Sequence, residues 1–157
     1  MRHGAILRTA LLSAFVLVAS LLVGQPAAAQ NCSGQNANLP LLTFTGQIAA
    51  TVTSPDQTNC MSRGLALVID LTTMTTANVT VTIQGKDIAS GKYYTLLAGA
   101  TVSSTGTTLL IVYPGSTAAA NTDANYPLPR TWRVSVLVAN NGGTAAVTGT
   151  IGGAVLN

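Results

Sequence analysis

Four aspartates, Asp56, Asp70, Asp87 and Asp123, are the only acidic side chains of this chain, and no glutamate accompanies them. Carboxylates do general acid–base work when two of them face each other about 5–9.5 Å apart in a cleft, with one pKa raised. Nothing in the spacing of these four pairs them. The single histidine, His3, stands in an N-terminal segment with the pattern of a removable export signal. Serine and threonine are plentiful, yet a hydroxyl nucleophile needs a neighbouring base, and the rest of the chain has neither histidine nor glutamate to act as one. A grouping of Asp87 with Lys86 or Lys92 and Ser90 comes nearest. The stretch Gly85 to Gly91 (GKDIASG) reads instead as a solvated hairpin loop. Asp123 with neighbouring carbonyls lacks the spacing of a calcium loop. The residues therefore predict a protein that is not an enzyme, with no catalytic residue, no cofactor and no metal.

Cys32 and Cys60 are the only cysteines. A zinc site would need His, Glu or a CxxC pair beside them, and none is present. In an oxidising compartment the default is a disulfide, which would stabilise the fold by about 3.5 kcal/mol in the chain-entropy picture.

Export follows from the N-terminus. Arg2 and Arg8 precede an apolar run from Ala10 to Val23, then Gly24-Gln25-Pro26 and the small residues Ala27-Ala28-Ala29. That order predicts cleavage between Ala29 and Gln30. The apolar run is shorter than the ~20 residues of a bilayer span, so no stable membrane span is expected after processing. The expected location is secreted or periplasmic. Without Arg2 and Arg8 five basic residues face four aspartates, so the formal +3 falls to about +1 and no basic field exists to draw nucleic acid.

After residue 41 the chain shows short β-branched runs separated by Gly, Asn, Asp and Pro. Seven strands are predicted: Leu42 to Thr53, Arg63 to Leu71, Asn78 to Gln84, Lys92 to Gly99, Thr107 to Tyr113, Thr131 to Ala139 and Thr144 to Ile151. The second is apolar throughout its centre, as in a strand buried on both sides. Asp70 closes it. Asn140-Asn141-Gly142-Gly143 predicts a tight hairpin between the last two strands, and Gly152-Gly153 a loose tail. The fold class is all-β, a seven-stranded antiparallel immunoglobulin-like β-sandwich after an N-terminal signal helix. Pattern alone does not separate it from a jelly roll or a small barrel. The organisation is a signal peptide over 1–29, a flexible segment over 30–41 and the sandwich domain over 42–157.

Cations adjoin aromatics at Lys92-Tyr93-Tyr94 and Arg130-Thr131-Trp132-Arg133. Such pairs can form a binding face, but strand alternation explains them more simply, with one tyrosine and Trp132 turned into the core. The candidate contact surface is Lys92, Tyr93, Tyr94 and Arg130, with Asn121 and Asp123 from the long Ser116 to Pro129 loop.

Three motifs resemble a group of small tailed-bacteriophage structural proteins: Gly85 to Leu97 (GKDIASGKYYTLL), Thr105 to Gly115 (TGTTLLIVYPG) and Leu128 to Val134 (LPRTWRV). The resemblance covers roughly half of the chain beyond the signal. It implies a non-catalytic virion component of the head or tail surface, with a protein surface or self-assembly as partner. The export signal and the cysteines depart from that pattern. The alternative is a secreted module that binds carbohydrate or a cell surface, with Tyr93, Tyr94 or Trp132 as platform.

Overall fold

A computed structural model describes residues 37–157. The expected signal segment, the expected cleavage site at Ala29 and Gln30, and Cys32 lie outside the described residues. Ten strands make up the described part: β1 (Ala37–Gln47), β2 (Ala50–Thr53), β3 (Gln57–Thr58), β4 (Gly64–Thr75), β5 (Ala77–Lys86), β6 (Tyr93–Ala98), β7 (Gly106–Val112), β8 (Asp123–Ala124), β9 (Thr131–Asn140) and β10 (Ala146–Leu156). They form two sheets. The first runs β1-β10-β4-β7-β8; the second runs β2-β9-β5-β6, with β3 also paired to β9.

Period-two alternation builds the layer between them. Leu65, Leu67, Ile69 and Leu71 of β4 turn inward with Leu110 and Val112 of β7 and Val147 and Ile151 of β10. Val79, Val81 and Ile83 of β5 meet them from the second sheet, beside Trp132, Val134, Val136 and Val138 of β9. All are buried. At roughly 1.5–3 kcal/mol for each large apolar side chain, this layer is the main favourable term of the fold.

All seven predicted strands are present, but several details differ. The first is two elements, because Gly46, at φ +60°, and a short turn carry the chain from β1 in one sheet to β2 in the other. It also begins at Ala37, so within residues 30–41, expected to be flexible, 37–40 pair with β10 and Leu41 sits at a bulge. β10 in turn runs through Gly152-Gly153 to Leu156, held between β1 and β4 on both sides. Flanking ladders hold these glycines extended where sequence suggested a loose tail. β4 extends to Thr75, so Asp70 is a mid-strand residue and not the end of one. Its carboxylate accepts from the Thr107 hydroxyl on β7 at 3.3 Å.

The largest difference is topological. In the immunoglobulin arrangement the last two strands are neighbours in one sheet. Here β9 and β10 lie in opposite sheets, and Asn140 to Gly143 is a corner between sheets, not a hairpin. Gly142 supplies φ +84°, the Asn141 amide donates to the Thr76 carbonyl, and the Asn140 side chain accepts from the Ala145 amide. The same left-handed backbone that suits a type I′ turn serves this crossing. The expectation of purely antiparallel pairing is also corrected, since β7 and β8 run parallel.

Candidate functional site

The outer face of the second sheet gathers more charged side chains than any other face of the sandwich. Even positions of β5, Gln84 and Lys86, point outward because the odd ones are buried, and Arg133 of β9 points outward because its even neighbours Trp132 and Val134 are in the core. Register then sets them side by side: Gln84 opposite Arg133, and Lys86 opposite Tyr93 of β6. Asp56 comes from the segment between β2 and β3. That segment is pinned to β9 because Ser54 exchanges hydrogen bonds with Val134 and the Asn59 amide donates to the Arg130 carbonyl.

The result is a closed network. Lys86 Nζ donates to Asp56 Oδ2 at 2.8 Å, and the Tyr93 hydroxyl donates to Asp56 Oδ1 at 2.6 Å. The Arg133 guanidinium lies 3.4 Å from the centroid of the Tyr93 ring, and its Nε donates to Gln84 Oε1 at 2.9 Å. Partial burial pushes the Asp56 carboxyl up, but hydrogen bonds from Lys86 and Tyr93 and the charges of Lys86 and Arg133 outweigh it and hold the pKa below the usual value. The Asp56 and Tyr93 hydrogen bonds raise that of Lys86. Both side chains stay about one-third exposed, so the pair contributes little to stability.

Asp87 sits elsewhere, in the β5–β6 hairpin loop. Its carboxylate accepts from the Ser90 hydroxyl and from the Ala89 and Ser90 amides, which hold its pKa low. The Asp87–Ser90 contact is thus loop geometry of the expected kind.

Of the predicted contact residues, only Tyr93 joins the network. It is half-buried on the outer face and Tyr94 is 46% exposed, so neither is the one core tyrosine that alternation suggested. Tyr94 closes the end of the sandwich over Gly85: a Cβ there would stand 2.6 Å from the Tyr94 ring and 2.9 Å from Pro129. Trp132 is in the core as expected, and its indole N–H finds no acceptor among the described residues. Lys92 and Arg130 are exposed. Asn121 and Asp123 line a separate open cleft of about 570 Å³, floored by Leu96, Leu97 and Ala98 and edged by Tyr126. There Asp123 accepts from the Ser116 hydroxyl and the Ala119 carbonyl from the Asp123 amide, while Asn121 takes φ +63°.

Comparison with protein-family models, with characterised proteins and with solved structures finds no match. The site therefore stands on its geometry. That Asp56, Gln84, Lys86 and Arg133 would meet escaped the sequence reading for an identifiable reason. Outward parity on β5 and β9 could have placed three of them on one face. Asp56 arrives from a loop thirty positions from Lys86, and no local pattern announces that. Among the described residues no group of His, Cys, Asp or Glu could hold a metal ion.

Proposed function

We propose that this chain is a non-catalytic, exported β-sandwich that works through its surface, as a structural or interaction component of the kind its phage-like motifs imply. One observation carries this. Its principal charged network is spent on itself: both Asp56 oxygens are occupied, the Tyr93 ring is covered by Arg133, and Arg133 is held by Gln84. A carboxylate held below its usual pKa carries no proton to give at neutral pH. Such a cluster rigidifies a face and does not turn over a substrate. The Cys32–Cys60 disulfide belongs to the same proposal, and the absence of a free thiol among the described cysteines supports it.

The test is fractionation of a culture that produces the protein, with antibody detection across a density gradient. Migration with particles supports a virion component, whereas recovery only among free soluble proteins overturns that role. Intact mass of the purified protein, expected to start at Gln30 and to lack two hydrogens, tests export and the disulfide.

A second reading, a carbohydrate-binding module, shifts its ground. Trp132 is buried and Tyr93 covered, so neither offers a platform, and of the three expected rings only Tyr94 is exposed. The Asn121 cleft, with an apolar floor and the exposed Tyr126 ring, has the chemistry for a sugar: amide donors beside an aromatic face. Glycan binding that is lost on Tyr126→Ala would favour it.

A further inference from the structure

β4 and β7 are adjacent strands whose sequences, GLALVIDL and TTLLIV, are apolar at successive positions and so on both faces. Strands of that kind are normally covered on both sides. Here only the inner face is covered. On the outer face Val68 and Leu109 are 41% and 49% exposed and lie opposite each other in the ladder.

The row they belong to crosses four strands: Pro40, Gly152, Val68, Leu109. The next row is Asn38, Ala154, Ala66, Ile111. Because Gly152, Ala154 and Ala66 are small, the β1–β10–β4 side is a shallow trough of about 470 Å³ walled by Pro40 and Val68. On the β7 side Leu109 and Ile111 form a ridge. None of these eight residues is charged; the second row continues onto β8 as Asp123, which pairs with Ile111 and rims the patch. Asp70, flanked in its own row by Thr150 and Thr107, marks their limit.

We infer that this face packs against the same face of a second copy, the Leu109–Ile111 ridge of each lying in the glycine-floored trough of the other. A twofold pairing requires a self-complementary surface, and a ridge beside a trough on one uncharged patch provides one. No like charges meet across the two rows. Edge pairing is the competing route, and apart from the stretch of β7 before Ile111, which β8 does not reach, the edges are blunted. β1 carries Pro40 and two register shifts, β6 pairs through a bulge, and β2, β3 and β8 are two to four residues long. Two rows about 7 Å apart on four strands about 4.8 Å apart cover roughly 250–350 Å² per copy, below the size of a standard specific interface. The pair is weak and gains strength when many copies are arrayed.

This pairing deepens the contact-based function and rests on it. Sedimentation equilibrium of the processed full-length protein over a concentration series tests it. Reversible dimers are expected, weakened at least tenfold by Val68→Lys or Leu109→Lys. Val68→Thr, a β-branched change that keeps strand propensity, guards against misfolding and should weaken them in the same direction. Leu137→Lys, at an exposed leucine of the other sheet, should leave them unchanged. A strict monomer at millimolar concentration overturns the pairing, as do dimers insensitive to Val68 and Leu109 or dimers lost only with residues 30–36. Particle association without dimers would sink this inference alone; dimers without particle association would sink only the virion role.

Discussion

Asp56 and Lys86 illustrate how little a surface ion pair stabilises and how clearly it still reports. The folded-state pKa of Asp56 lies below its unfolded value, so its contribution is present above about pH 4 and is lost as pH falls through the folded value. Lys86 is raised, so its share is present below about pH 10 and is lost as pH rises past the folded value. Urea denaturation of the wild type should therefore lose stability at both ends of that window, and Asp56→Asn should remove the acid-side component that Asp56 supplies. Tyr93 is the centre of the network: Arg133→Gln should cost about 0.5–1 kcal/mol, the size of an exposed cation–π contact. Trp132 makes the opposite point. Trp132→Ala should cost about 3–5 kcal/mol for its cavity. Trp132→Phe should cost far less, because it also removes a buried N–H whose missing partner costs about 1–3 kcal/mol. Which residues face outward was legible from alternation in β5 and β9. That Asp56 would lie beside Lys86 and Tyr93 was not, since it depends on Ser54 and Asn59 anchoring a loop to β9.

The strands were readable and their sheets were not, and the corners explain both. A period of two is local, so NVTVTIQ and TWRVSVLVA declare their inward residues wherever they pair. Sheet membership is decided between strands. Asn140 to Gly143 has the composition of a hairpin turn, but the same positive φ lets Gly142 turn the chain out of one sheet and into the other. Thr76, at φ +40°, marks the neighbouring corner, and its carbonyl accepts from the Asn141 amide, so the two crossings brace each other. Gly142→Ala should thus cost about 1–2 kcal/mol in chemical denaturation, the penalty for an L residue in left-handed backbone. At Gly46 the φ is +60° and a Cβ would meet nothing within 4 Å, so Gly46→Ala should cost about the same through the backbone alone. Gly85→Ala differs in kind: its cost is displacement of Tyr94, readable as greater exposure of that ring.

For the whole molecule the division of labour runs between its two outer faces. The second sheet shows water a polar network, while the first shows a mainly apolar patch around Val68 and Leu109. The chain has one histidine, His3, outside the described residues, and four dispersed aspartates. It has shape, a durable core and an uncovered face. Concentration-dependent amide shifts, followed by NMR on the processed protein, test this most directly. Dilution should perturb residues around Pro40, Ala66, Val68, Leu109 and Gly152 and leave Gln84, Lys86, Tyr93 and Arg133 still. Shifts centred on the Tyr93 network, or none across the accessible range, would contradict it.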